Sequence, residues 1–174
     1  ITSEKNLCVV PRLVDEKKAS IAIQKSPSVA KKKFSVDSST YVTEGISTLY
    51  PFDYIALYNT QKFIQLGGFD YTIKSPYWQN LDLAVRSWLW GEETKITTSL
   101  QLSYAGEVPV EDQTPSLDSL RVFLKNQLPR FRNDQAYIPH YLFWNFFFHS
   151  GCGFWEARRQ FRDAERWVEV NKYR

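Results

Sequence analysis

Apolar side chains along this chain follow two rhythms. Trp78, Leu81, Val85, Trp88 and Leu89 recur every three or four residues behind Pro76, which predicts a helix from Tyr77 to Gly91. Asn59-Thr60 caps a shorter helix running through Leu66. Ser116 caps another, from Leu117 to about Leu128, with Leu117, Leu120, Leu124 and Leu128 as a stripe that Phe123 widens and Pro129 stops. Lys125 falls in its last turn, where a cation suits the helix dipole. Pro139 opens an aromatic helix, Tyr141 to His149, which Gly151 and Gly153 break. The last helix, Phe154 to Lys172, sets Trp155, Phe161, Trp167 and Val170 against Arg158, Arg159, Arg162 and Arg166. Strand composition marks Leu7–Leu13, Ser20–Gln24, a buried Tyr50–Tyr58, and Lys95–Tyr104 with Ile96, Leu100 and Leu102 on one face. Lys31-Lys32-Lys33 and the polar residues 35–40 predict an exposed, mobile linker. Residues 110–116 form a polar loop in which 112–115 suit a flexible segment over a cleft. The order of elements is that of an α/β protein, divided into 1–114 and a helical extension, 115–174.

At 174 residues the chain can bury an ordinary core. Aromatic residues make up 16% of it, enough for a ring-rich core and for a face on which planar ligands stack. The formal charge is only +3, so no general polyanion-binding surface is implied. Glu156, Asp163, Glu165 and Glu169 cancel most of the positive field of the last helix, and nucleic acid is not an expected partner. The lysine run is a solvated face or a contact to anionic lipid or phosphate. Cys8 and Cys152 lack CxxC spacing, which gives neither a zinc site nor a disulfide framework and fits a reducing, cytoplasmic compartment. No leader-like start is present, and the apolar run at 141–148 is too short to span a bilayer. His140 and His149 stand at no recognised ligand spacing and are expected to pack or to face an interface. No nucleophile elbow, P-loop or dinucleotide fingerprint occurs.

The stretch with chemical character is Leu66 to Glu93. Gly67-Gly68 gives a turn that admits positive φ, Phe69-Asp70 follows, and the helix behind it carries Gln79-Asn80-Leu81-Asp82-Leu83, then Arg86, Trp88 and Gly91. Asp82 and Arg86 are spaced i, i+4, within reach of each other or of a bound substrate. In order and spacing this stretch resembles the acceptor-side half of family 2 type glycosyltransferases, which have the GT-A fold, and the related polypeptide N-acetylgalactosaminyltransferases. The departure is at Gln79 and Asn80, neutral amides where those families open the helix with acids.

The resemblance implies a partial GT-A, Rossmann-like sheet with flanking helices. It implies transfer of a sugar from a nucleotide-sugar donor to an acceptor glycan, lipid or protein, with Mn²⁺ or Mg²⁺ on the diphosphate. Asp82 would be the acid closest to the acceptor and Arg86 its orienting partner or a phosphate-side cation. Trp78 would wall the sugar ring or the donor, and Gly67, Gly68, Asp70, Gln79 and Asn80 would line the substrate site. Ser103-Tyr104-Ala105-Gly106-Glu107 matches a segment that ends in a metal-binding histidine, which puts Glu107 in the ligand place; the residues alone leave an exposed loop glutamate equally open. None of the nine aspartates forms Asp-x-Asp, so the donor half is expected before Ile1. A sheet cut there would offer an open edge to a second copy, which implies a homo-oligomer. The alternative is a noncatalytic module derived from such an enzyme, with residues 143–148 and the arginine helix serving as core and solvated face, as a docking surface, or as a membrane-peripheral anchor.

Overall fold

The computed structural model describes residues 6–30, 33–133 and 135–171; Lys31, Lys32, Lys172 and the side chain of His149 lie outside that description. In order, the elements are β1 (Asn6–Val14), β2 (Gln24–Ala30), β3 (Lys33–Ser39), β4 (Leu57–Tyr58), α1 (Thr60–Gln65), α2 (Pro76–Leu89), β5 (Glu93–Ser103), α3 (Leu117–Asn126), β6 (Arg130–Arg132), β7 (Gln135–Tyr137), α4 (Leu142–Ser150) and α5 (Phe154–Asn171). The protein is mixed α/β. Its residues cluster into two compact units, one holding those up to 72 with 79–112, the other 73–78 with those from 113 onward.

In the first unit β1 is the middle strand of a sheet ordered β4-β1-β5, parallel to β5 and antiparallel to β4. Every β1 residue except Arg12 is buried, the continuous apolar pattern of a strand covered on both faces. Pro11 has no N–H to give to a ladder, and the register breaks beside it: Pro11 faces Thr97 but Arg12 faces Gln101, so Thr98–Leu100 bulge out of β5. The bulge upsets the alternation expected of this strand, and Leu100 and Leu102 are exposed while Ile96 is buried. Residues 45–48 cover part of the edge of β5 with backbone bonds to Thr94 and Ile96.

Glu44 caps the bulge. Its carboxylate accepts from the Thr98 amide at 2.6 Å, the Thr98 hydroxyl at 2.7 Å and the Thr97 hydroxyl at 2.9 Å. The backbone bond from Thr98, then the two hydroxyl bonds, hold its pKa below the usual value of 4.5. Because the folded value is the lower one, this contribution to stability is present above pH 4.5 and is lost as pH falls through the depressed value. Glu44→Gln is expected to flatten the acid limb of the melting temperature against pH; an unchanged limb would show that the cap does not couple to folding.

Three expectations for this unit give way. The segment read as a mobile linker contains β3, which pairs residue for residue with β2, from Gln24–Ser39 to Ala30–Lys33. Ser20–Gln24 is not a strand; Ser20 makes a single bridge to Val14 and pairing begins only at Gln24. Tyr50–Tyr58 is not a buried strand either. Pro51 starts a 3-10 turn, Phe52–Tyr54, in which Asp53 (φ 48°) and Tyr54 (φ 62°) are both left-handed, and only Leu57–Tyr58 pairs. The apolar intent of the segment survives, since Tyr50 and Phe52 are buried, Phe52 with Val10, Leu13, Ile23 and Ile96. A second cluster joins Leu7, Cys8, Leu66 and Leu83. Burial pushes the Cys8 thiol up to about 11 against a hydrogen bond with Thr94 that lowers it, and both cysteines are free thiols.

In the second unit Ser116 and Ser119 form a reciprocal capping box at the start of α3. The stripe expected on this helix is rotated: Leu124 and Leu128 are buried, Val122 joins them, and Leu117 and Phe123 are exposed. Lys125 is buried, its ammonium 4.8 Å over the Trp167 ring. The β6–β7 hairpin was not foreseen. Gly151 closes α4 in the left-handed conformation (φ 67°), and the core gathers Leu124, Leu128, Ile138, Phe146, Ala157, Phe161, Ala164 and Val168. Among the described residues no helix is long and apolar enough to cross a membrane.

Candidate functional site

The glycine turn is built by the helix before it and fastened by the helix after it. Asn59 caps α1, its side chain accepting from the Lys62 amide at 3.2 Å. The chain then leaves α1 through Gly67 (φ 82°) and Gly68 (φ 61°), whose amides return to Ile64 and Phe63. Consecutive positive φ values are what glycine permits, and a Cβ on Gly68 would come within 3.0 Å of the Phe63 ring. Arg86 of α2 donates through Nη1 to the Leu66 carbonyl and through Nη2 to the Gly68 carbonyl at 2.7 Å. The arginine of the helix therefore grips the glycine turn.

Asp82 holds that guanidinium in place. Its Oδ2 accepts from Arg86 Nε at 3.0 Å and Nη2 at 2.7 Å, and Asp82 is 0% exposed. Of the two roles left open by the i, i+4 spacing, the geometry realises the mutual pair: both charges are withdrawn from solvent and spent on the turn. The expected apolar stripe of α2 is displaced accordingly. Asn80, Leu81, Asp82, Leu83, Ala84, Arg86 and Ser87 are buried, whereas Trp88 and Leu89 are exposed.

Gln79 joins the same construction. Its Nε2 donates to the Asp70 carbonyl at 2.8 Å, and its Oε1 accepts from the Tyr54 hydroxyl at 2.9 Å. The Asp70 carboxylate accepts from the Thr72 amide at 2.9 Å and hydroxyl at 2.6 Å. Asp82 and Arg86 thus hold the carbonyls of Leu66 and Gly68, and Gln79 holds Asp70 and Tyr54, two bonded sets on either side of Phe69. Asn80 stands apart, lining a small cavity with Leu7, Cys8 and Thr94, its Oδ1 buried without a hydrogen-bond partner among the described residues. Trp78 belongs to the second unit, where its Nε1 donates to the Thr114 carbonyl at 3.2 Å. Glu107 is exposed on the segment after β5.

That segment is fastened rather than free between Tyr104 and Glu111. Tyr104 Oη donates to Asp53 at 2.6 Å, the Gly106 amide to Glu16 at 2.8 Å, and buried Lys25 pairs with Glu111 at 2.6 Å. No three His, Cys, Asp or Glu side chains are grouped for a metal among the described residues. Glu107 could be one ligand at most, so the described residues of this chain do not make up the divalent-cation site that the resemblance implies.

Sequence reasoning missed Asp53, Tyr54 and Tyr104. Two adjacent non-glycine residues in left-handed conformation are costly, of order 1–3 kcal/mol each, and persist only where surrounding contacts enforce them. Here they aim the Tyr54 hydroxyl at Gln79 and the Asp53 carboxylate at Tyr104. Burial and then the Asp53 charge push the Tyr54 phenol up; the bond to Asp53 does so for Tyr104, followed by desolvation and the charge itself. No sequence signal at Phe52-Asp53-Tyr54 announces this conformation. Carboxylates, a phenol and an amide can recognise hydroxyl groups, and a carboxylate is of the type that can accept a proton from one.

No protein-family model and no curated protein matches the chain.

Proposed function

We propose that the chain is the acceptor-side part of a GT-A-type glycosyltransferase, taking a sugar from a nucleotide-sugar donor to a hydroxyl of a glycan, lipid or protein. The observation that carries this reading is the Arg86 guanidinium bound to the carbonyls of Leu66 and Gly68, which gives the glycine-turn and helix spacing a physical reason to occur together. The parallel pairing of β1 with β5 is compatible with it. On this reading Asp82 and Arg86 build the site and do not react in it. Hydroxyl recognition falls to Asp70, Gln79 and Tyr54, and the carboxylate offered to an acceptor proton is Asp53. The divalent cation and the diphosphate belong to a donor half that is not among these residues, because Glu107 alone cannot hold them.

Assaying transfer from a panel of nucleotide sugars to mono- and disaccharide acceptors by product mass, with this chain joined to the donor half that the reading requires, tests the reading. Asp53→Asn is expected to lower transfer about 100-fold, the effect of losing a positioned base, with the melting temperature changed little. Transfer unaffected by Asp53→Asn would remove Asp53 from the reaction.

The second reading, a noncatalytic module, is favoured by the withdrawal of Asp82 and by the amides at 79 and 80. It expects saccharide binding at the turn, sensitive to Gln79→Ala, with no transfer from any donor.

A further inference from the structure

The second unit carries a feature that glycosyl transfer does not use. Helix α4 packs Phe146 into the core, yet Tyr141, Trp144 and Phe148, at i, i+3 and i+7, stand outward, Phe148 being 74% exposed. Trp155, at the start of α5, is 78% exposed. The rings are contiguous: Phe148 stacks on Trp144 with centroids 6.4 Å apart, Trp144 meets Phe154 at 6.4 Å, and Phe154 meets Trp155 at 5.4 Å. Ordinary surfaces scatter exposed rings singly, and a continuous ridge marks a contact.

Behind this ridge is a groove of about 430 Å³, lined by Trp144 and Phe154 on the aromatic side and by Arg158 and Arg162 of α5. The two arginines are one helical turn apart and exposed, and neither makes an ion pair or hydrogen bond among the described residues. The carboxylate lining the groove, Glu165, lies 2.9 Å from His140 Nδ1 without a hydrogen bond of good geometry. Two free guanidinium forks a turn apart match the oxygens of a phosphate, which an exposed ammonium would meet only as a point charge.

We infer that this face docks on an anionic phospholipid bilayer, with Arg158 and Arg162 taking a lipid phosphate in the groove and Trp144, Phe148 and Trp155 entering the interface beside it. The complementarity is double: guanidinium groups meet the phosphate plane, and the rings reach the acyl boundary just beneath, where amphipathic aromatics are most stable. A flat protein partner would answer the rings but leave the arginines needing a separate acidic match. The inference stands on the second unit alone and is independent of the transferase reading.

Sedimentation of the full chain with phosphatidylcholine vesicles, alone or mixed with phosphatidylglycerol, tests it, with tryptophan emission as a second readout. Partition is expected on the anionic vesicles only, with a blue shift, weakening as salt is raised. Arg158→Gln with Arg162→Gln is expected to lower partition roughly thirty-fold, while Arg159→Gln, also exposed on α5 but outside the groove, has a much smaller effect. Circular dichroism shows whether each variant keeps its fold; Trp144→Ser with Phe148→Ser, which leaves both arginines in place, is expected to lose the blue shift. Equal partition on neutral vesicles, no partition on either, or an equal loss from Arg159→Gln would overturn the inference. Tight calorimetric binding of a short-chain soluble phosphate ester without vesicle partition would overturn the bilayer as its source.

Discussion

Replacing Arg86 by Met is expected to cost about 3–5 kcal/mol of folding stability, the range for breaking a buried ion pair by removing one partner. Methionine fills the stem of the arginine but leaves the Asp82 carboxylate, 0% exposed, without its counter-charge. It also leaves the carbonyls of Leu66 and Gly68 without these donors. Asp82→Asn is expected to cost about 3 kcal/mol for the converse reason, since a guanidinium then stays buried against a neutral amide. An exposed i, i+4 pair would cost only a few tenths of a kcal/mol. Urea denaturation separates these magnitudes readily, and the expected order is Arg86→Met worse than Asp82→Asn, because only the first also unfastens the turn.

Glu111→Ala is expected to cost about 3 kcal/mol, again by stranding a buried charge. Lys25 is 3% exposed; without Glu111 its ammonium keeps the Ser38 hydroxyl at 3.0 Å and the ring faces of Phe52 at 5.2 Å and Tyr50 at 6.0 Å. Those contacts soften the loss without replacing a carboxylate. The segment after β5 is tied at Tyr104, Gly106 and Glu111, so losing the last tie is expected to speed amide exchange from about residue 107 onward while Tyr104 stays bonded to Asp53. Lys25→Met combined with Glu111→Ala is expected to be milder than Glu111→Ala alone, because both charges are then gone. A Glu111→Ala protein within about 0.5 kcal/mol of the original, the range of unremarkable surface changes, would mean that the pair carries no such weight.

The helices were legible because their signals are local. Asn59 and Ser116 reach amides three residues on, Pro76 fits the first turn of α2, and Gly151 ends α4, all within one turn of sequence. The β2–β3 hairpin was not legible. Its strands, Gln24–Ala30 and Lys33–Ser39, are mostly polar and partly exposed, and only pairing with each other makes them strands. Tyr50–Tyr58 misled in the opposite sense: its β-forming residues supply burial, while the left-handed pair at Asp53 and Tyr54, held by Tyr104 and Gln79, breaks the extended path. In the site, the glycine turn and the Asp82–Arg86 pairing could be read from spacing. That the pair is buried could not, because the i, i+4 rule says that two side chains share a face and not which face meets the core. The place of Asp53 rests on Tyr104, 51 residues away, and that of Tyr54 on Gln79, 25 residues away, beyond any local signal.

The measurement that bears most directly on the account is a double-mutant cycle in urea across Asp82→Asn and Arg86→Met, read together with amide exchange at Gly67 and Gly68. If the pair is the brace of the turn, the two losses are strongly non-additive, with a coupling of about 2 kcal/mol or more, and both glycine amides exchange faster in either single variant. If Asp82→Asn instead leaves stability within about 0.5 kcal/mol and the glycine amides as protected as before, Asp82 is not committed to Arg86, and its place as a structural residue is wrong.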